Sequence, residues 1–347
     1  MGAPFKTVAV CGPTASGKSA LSITLAQRLH GEVVNVDSVQ VYQGLDIGSA
    51  KLTEQERQGV PHHLLDVFSP QRGANVAEFR DRALDAIRDI SGRGALPVLV
   101  GGSGMYFTIL LHGLAPVPNT PDEVRAAIGM MSSEAMYAEL SLVDPVTAAR
   151  LNVNDRQRVS RALEIARVSG RKPSELFAEH TFSTVDVVSL VLVLCRPRDE
   201  LYRRINQRSQ IMVEQGLVQE TASILAAYGR VPPLETIGYK QACQLLEGAI
   251  SEEMVGAEIS LHTRRFAKRQ MSYWRNEPPK RGWVVRPRDD EQAEEISGFD
   301  ASPPRAQKKM KSFRAFRVSE EELIKRVAQR VQEPLDRTEV WYVALRE

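Results

Sequence analysis

The stretch CGPTASGKSA, residues 11–20, holds Gly12, Gly17, Lys18 and Ser19 in the spacing Gly-x-x-x-x-Gly-Lys-Ser. Such a loop leaves backbone N–H groups and the start of a helix to attract anionic oxygens. Lys18 adds a point charge, and the Ser19 hydroxyl is suited to Mg²⁺. A plain glycine turn does not account for a lysine at a helix start, where a cation is unfavourable. The cradle comprises Gly12, Pro13, Thr14, Ala15, Ser16, Gly17, Lys18 and Ser19. It fits either a phosphoryl group passed to an acceptor or a phosphate held as it leaves.

Asp37, in NVDSVQVYQGLDIGSAK, is the nearest carboxylate that follows an apolar run. At a strand end it can serve as a general base, a Mg²⁺ ligand or a cap. Arg204 and Arg208 share a helix face, either solvated or turned back over a phosphate. His62 and His63 stand without carboxylate or Cys spacing, so they do not read as metal ligands. Arg158 and Arg161 share one side of NDRQRVSRALEIAR, and HTRRFAKRQMSYWR interleaves Arg264, Arg265, Lys268 and Arg269 with Phe266, Tyr273 and Trp274. Aromatics among basic residues suit unpaired RNA bases, although aromatics also build cores.

These residues need a scaffold. Thr7–Cys11 reads as a buried strand, followed by the loop and a helix to about Leu29 with Leu21, Leu25 and Leu29 on one face. EVVNVD, ending at Asp37, and LPVLV, running into GGSG at 101–104, read as further buried strands around a helix near 75–90. The alternation predicts an α/β fold: a P-loop-containing, doubly wound parallel sheet, with Asp37 and the 101–104 turn on the rim of the phosphate loop. Residues 41–50, punctuated by Gly44 and Gly48, read as an irregular loop on that rim. The division expected is a first core part over 1–115, a helical insertion over 116–184 after the Pro-rich APVPNTP, and a second core part over 185–284. The last opens on VVSLVLVLC and includes helices near 199–215, 217–228, 239–247 and 252–275. Residues 285–347 are set apart as a tail of unknown role, dispensable for chemistry, with a basic stretch, a capping box at Ser319 and Glu322, and a short apolar end VWYVAL.

Composition narrows the class. With 347 residues, 43% hydrophobic, 25% charged and a net charge of +2, the chain reads as a soluble globular protein whose total charge gives no argument for nucleic acid. Cys11, Cys195 and Cys243 are scattered and read as reduced core thiols of a cytoplasmic protein. No apolar run is long enough for a membrane span or a signal peptide.

GPTASGKSAL, DSVQVYQGLDIGSAK, GVPHHLLDV, LVGGSGMYF, NDRQRVSRALEI, IGYKQ and TRRFAKRQMSYW follow in this order. Together they resemble the tRNA dimethylallyltransferase (tRNA isopentenyltransferase, IPP transferase) family, over roughly residues 5–275. The resemblance implies transfer of a dimethylallyl group from dimethylallyl diphosphate to N6 of the adenosine 3′ of the anticodon, with Mg²⁺. It implies as partners the anticodon stem-loop of tRNA and the diphosphate donor, for a cytoplasmic monomer without membrane attachment. Carried over by position, Asp37 is the base on the adenine amine, and Thr14 contacts the bridging oxygen of the diphosphate. Lys18, Ser19 and Arg208 hold the diphosphate or its metal. Asp37, Ser38, Val39, Gln40, Ser103, Arg125, Gln157, Arg158, Val159, Ser160 and Arg161 stand where the family touches tRNA. Ser103 replaces the family's usual Thr and keeps the hydroxyl. Some relatives add a C-terminal zinc finger; with no Cys or His after His262, none is expected here. The competing readings are a P-loop small-molecule kinase, an adenylate isopentenyltransferase and a nucleotide-gated RNA-binding module.

Overall fold

The computed structural model describes residues 4–115, 117–179, 186–280, 284–286, 293–296 and 313–345, with backbone alone at 279–280, 284–286, 293–296 and 313–314. Its chain forms two compact units, Met1–Leu111 with Asp186–Glu347, and His112–Val185.

The first unit is built on a sheet of β1 (Phe5–Cys11), β2 (Gly31–Asn35), β3 (His62–His63), β4 (Leu96–Val100), β5 (Val187–Leu194), β6 (Val284–Arg286), β7 (Ala293–Ile296), β8 (Phe313–Val318) and β9 (Glu339–Leu345). The spatial order is β3-β2-β4-β1-β5-β9-β8-β7, with β6 also on β9. All pairs are parallel except β7 with β8. Parallel strands need crossovers, and these are α1 (Lys18–Arg28), α2 (Val76–Gly92) and α3 (Gly104–His112) in the first part of the chain. Alternate residues face opposite layers. Val8, Val10, Val33 and Val98 pack with Leu21 and Leu25 of α1, whereas Ala9, Cys11, Val34 and Leu99 pack with Phe79 and Ile87 of α2. Helices on both faces make the sheet doubly wound. They also explain why its central strands are near-continuous apolar runs, since all eight residues of β5 are buried.

The tail is not separate. β9 lies directly on β5, pairing Leu190 with Glu339 through Leu194 with Val343. A later helix between β8 and β9, Glu320–Gln332, sets Leu323 and Val327 into the same layer as α1. Each such buried side chain is worth ~1.5–3 kcal/mol, so VWYVAL is a core strand. The basic residues Lys308, Lys309 and Lys311 lie outside the described residues, and Arg317 is exposed. The capping box at Ser319 forms in part: its hydroxyl accepts from the Glu322 N–H at 3.2 Å. Cys11, Cys195 and Cys243 are buried free thiols. Among the described residues no helix is long and apolar enough to cross a membrane.

The second unit carries α4 (Asp122–Gly129), α5 (Ser133–Val143), α6 (Pro145–Ala148), α7 (Arg156–Ser169) and α8 (Pro173–Glu179) around Ile128, Met136, Leu140, Val159 and Leu163. The remaining helices of the first unit are α9 (Arg198–Glu214), α10 (Leu217–Tyr228), α11 (Tyr239–Leu246), α12 (Glu252–Lys280) and α13, the Glu320–Gln332 helix.

Inside the second unit the fully buried Asp144 carboxylate accepts from Thr147 N–H and hydroxyl (3.0 and 2.6 Å) and from Ser174 N–H and hydroxyl (2.8 and 2.9 Å). Burial alone would raise its pKa, but these hydrogen bonds win and hold it down at about 2. A carboxylate with a depressed folded-state pKa stabilises above its unfolded value, and that contribution is lost as pH falls through the folded value. The helical unit should therefore lose ~2 kcal/mol between about pH 4 and pH 2. Asp144→Asn should remove that step. Acid titration of the two proteins, followed by helical circular dichroism and hydrogen exchange in residues 112–185, checks it; identical acid profiles would refute the assignment.

Candidate active site

A cavity of about 370 Å³ opens at the carboxyl ends of the central strands. Its polar lining includes Thr14, Lys18, Ser19, Asp37 and Arg208, and its apolar lining includes Val39, Ile205, Met212, Ile237, Ile259 and Phe266.

The phosphate loop connects β1 to α1. Gly12 has φ +130°, and a Cβ there would lie 2.7 Å from the Leu194 carbonyl oxygen, so only glycine lets the loop leave β1 against β5. Two arginines hold the loop's outer carbonyls: Arg196 Nε donates to Ser16 O at 2.8 Å and Arg204 Nε to Ala15 O at 2.9 Å. Arg204 thus turns back onto the loop itself. α1 begins with no side-chain cap and no acidic residue in its first turn, which leaves its first N–H groups for a ligand.

Lys18 Nζ donates to Pro13 O at 2.7 Å. Burial, then the neighbouring Arg208, push its pKa down to about 8, against a smaller upward pull from Asp37. Burial also lowers the pKa of Arg208. Among the described residues neither Lys18 nor Arg208 is ion-paired, and none accepts a hydrogen bond from Arg208. Two crowded cations without an ion-pair partner among the described residues, beside free helix N–H groups, are suited to an anion.

Asp37 lies just beyond the end of β2, which stops at Asn35 rather than running on to Asp37. Its Oδ1 accepts from the N–H groups of Val39 (2.8 Å) and Gln40 (3.3 Å). The capping alternative is thus real, on a turn and not on a helix. Its Oδ2 accepts no hydrogen bond among the described residues and is left for chemistry. Ser103 Oγ donates to Ser38 Oγ at 3.4 Å, which brings those two positions together. Gln40 Nε2 donates to Ser49 O and Ala50 O, bracing the irregular loop.

In the second unit, Arg158 is exposed and pairs with Asp155 at 3.3 Å. Arg161 donates to Thr120 Oγ1 (2.8 Å) and Glu164 Oε2 (2.9 Å), and Arg125 pairs with Asp122 at 3.0 Å. Gln157 and Ser160 lie on α7, where the Ser160 hydroxyl bonds back to Gln157 O. Val159 is fully buried in that unit's core, so its side chain is not available to RNA. Trp274 is likewise fully buried and Tyr273 bonds to Thr108, so of the three aromatics in the basic helix only Phe266 faces the cavity. His63 bonds to Glu32 at 2.6 Å on the sheet edge.

Two anchors escaped the sequence reading although their motifs were visible. Glu220 accepts from the N–H groups of Asp46, Ile47 and Gly48 and from the Tyr239 hydroxyl of IGYKQ, clasping the 46–48 loop. Gln270, within KRQ of α12, reaches the phosphate loop. Nothing local marks either, because their partners are far away in sequence.

Fold and cavity together define a P-loop protein whose cavity sets two cations beside an apolar surface. A model of the IPP transferase family matches residues 40–277. The chain is 43% identical to the tRNA dimethylallyltransferase of Anaeromyxobacter dehalogenans (strain 2CP-C) over 294 residues, 83% of this chain and 97% of that protein. Against the tRNA dimethylallyltransferase of Geobacter sulfurreducens it is 42% identical over 293 residues, 82% and 94% of the two chains. Among solved structures it resembles the full-length tRNA isopentenylpyrophosphate transferase of Bacillus halodurans (TM-score 0.57, 38% identity, 78% of this chain and 87% of that one). It also resembles a eukaryotic dimethylallyltransferase acting on tRNA (TM-score 0.69, 31% identity, 77% and 69%). The chain belongs to the IPP transferase family.

Unpaired cations cost stability in the free protein and repay it on binding an anion. Arg208→Met should therefore raise the melting temperature by roughly 2 °C or more while weakening inorganic diphosphate binding by ~10-fold or more. Calorimetric melting and titration calorimetry check both; a destabilised variant with unchanged diphosphate affinity would refute the anion site.

Proposed function

We propose that this protein transfers a dimethylallyl group from dimethylallyl diphosphate to N6 of the adenosine 3′ of the anticodon in tRNA, releasing diphosphate. The observation that carries this reading is the cavity's double character: an unneutralised cation cradle and an apolar wall in one space, with a carboxylate oxygen free beside them. A kinase needs the cradle but not the wall. The allyl group would lie against Ile205, Met212, Ile237, Ile259 and Phe266, which also exclude water from an electron-poor carbon.

In this scheme the N6 lone pair attacks the allylic C1, the N–C bond forms, and the C1–O bond breaks with its electron pair leaving on the diphosphate. Asp37 takes the N6 proton on Oδ2, while the Val39 and Gln40 amides hold Oδ1 and so orient the group. Thr14 contacts the bridging oxygen. Lys18 and Arg208 meet charge that grows toward the transition state, where added stabilisation accelerates the step. The chemistry of the donor set fits Mg²⁺: the Ser19 hydroxyl and diphosphate oxygens match an ion that keeps waters and takes few protein ligands, and bound there it would neutralise leaving-group charge. The adenine leaves its stack to enter the cavity. Ser38, Val39, Gln40 and Ser103 on the rim, with Arg125, Gln157, Arg158 and Arg161 on the helical unit, would meet the RNA, the arginines on phosphates. Reduced thiols and a tRNA substrate support the cytoplasm.

The test is nucleoside mass spectrometry of tRNA incubated with the protein and Mg²⁺, with dimethylallyl diphosphate in one tube and ATP in another. Prenylated adenosine is expected in the first and no ATP consumption in the second; the reverse pattern would establish a kinase. Asp37→Ala should lower turnover by ~10²–10⁴-fold with little change in tRNA affinity. Near-normal turnover would leave Asp37 as a turn cap only.

A further inference from the structure

Both ends of the Gln270 amide are spent on the backbone of loops distant in sequence. Oε1 accepts from the Thr14 N–H at 2.9 Å, and Nε2 donates to the Gly102 carbonyl at 3.0 Å. The side chain is 7% exposed and lines the cavity. A Cβ on residue 102 would lie 2.2 Å from Nε2, so the glycine in GGSG is what lets the amide in. The amide's orientation is fixed by its partners, because a flip would set NH₂ against an N–H and oxygen against a carbonyl.

We propose that Gln270 is a positioning residue for the transfer step: it locks the phosphate loop to the turn after β4, and so sets the donor's leaving group against the base. The inference rests on the transferase reading above. Thr14, whose backbone Gln270 holds, is the residue assigned to the bridging oxygen. Gly102, the other partner, adjoins Ser103, which bonds to Ser38 beside Asp37. A single planar amide thus spans the donor and acceptor sides of the cavity. Its own platform is rigid. α12 packs Trp274 edge-on to Phe107 at 5.5 Å between ring centres, joins Tyr273 to Thr108, and takes a hydrogen bond from the Tyr342 hydroxyl at the Trp274 carbonyl. Lys268 is exposed and Arg269 lies over the Phe266 ring at the cavity, whereas Gln270 is buried. The Thr14 N–H is consumed by this contact, so this amide orients the loop instead of binding phosphate.

Only an amide supplies a donor and an acceptor at this spacing without charge. Gln270→Met keeps the volume and loses both bonds. Gln270→Glu keeps the acceptor, loses the donor and adds an anion beside the diphosphate. In the full chain, Gln270→Met should lower the single-turnover rate at saturating tRNA and donor by ~10–100-fold, the scale of a displacement near 1 Å at a reacting centre. Its tRNA dissociation constant should stay within about twofold, since a residue spent on backbone groups does not touch RNA. Combined with Thr14→Ala, the same substitution should cost no more than about threefold further, because Gln270 acts by placing the Thr14 side chain. Gln270→Glu should lose at least as much rate and also bind inorganic diphosphate more weakly. A parental rate in Gln270→Met, a loss confined to melting temperature, a weaker tRNA complex with an unchanged saturated rate, or full multiplicativity with Thr14→Ala would each overturn the role. If Gln270→Met does not fold, a parental rate in Gln270→Glu overturns it alone. Wild-type protein that makes no prenylated adenosine would instead remove the transferase reading, and the Gln270 role with it.

Discussion

Lys18 and Arg208 share one cleft, and among the described residues no carboxylate forms an ion pair with either. Holding two like charges in a partly desolvated space is unfavourable, and the surrounding structure is organised to bear it. Arg196 and Arg204, which would add to the repulsion, are tied to loop carbonyls, and Arg196 is also paired with Glu200. Asp37 is close enough to be felt by both cleft cations, yet one of its oxygens is committed to its own turn. The result is a site whose charge balance is completed only by a ligand that brings negative charge. The doubly covered sheet below supplies the rigidity that keeps such groups together.

The walls of the site follow a second rule. The loops that close it carry internal hydrogen bonds, and side chains from the helices after β5 fix them in place. Glu220 of α10 gathers the amides of 46–48, and Gln270 of α12 gathers residues 14 and 102. The first part of the chain supplies the phosphate loop and Asp37, and the second part supplies Arg208, most of the apolar wall and the anchors that give those groups their spacing.

This division explains what was legible in the residues. The phosphate loop is local, so its spacing alone revealed it. β1, β4 and β5 are buried on both faces, so they stand out as apolar runs. Asp37 was found because a strand end places it, although its capping role and its free oxygen could both be seen only in three dimensions. Glu220 and Gln270 were invisible because an anchor's meaning lies in partners far along the chain. Val159 illustrates the opposite case: a position carried over with its motif, whose own side chain fills the helical unit's core. The tail was misjudged because β9 lies far along the chain from its partner, and an apolar end segment declares itself a core strand only when its neighbour in the sheet is known.

That neighbour is β5, and the pairing bears on how the chain is made. Until residues 195–338 have left the ribosome, β5 has β1 on one side and an open row of backbone groups on the other. Its sequence, VVSLVLVL, has the β-branched, uncharged character that invites pairing with a second molecule. At ordinary synthesis rates the exposed interval is on the order of ten seconds. A message truncated before β9 would leave that edge open permanently, so premature stops in the last part of the reading frame would yield chains prone to self-association even with every reactive residue present.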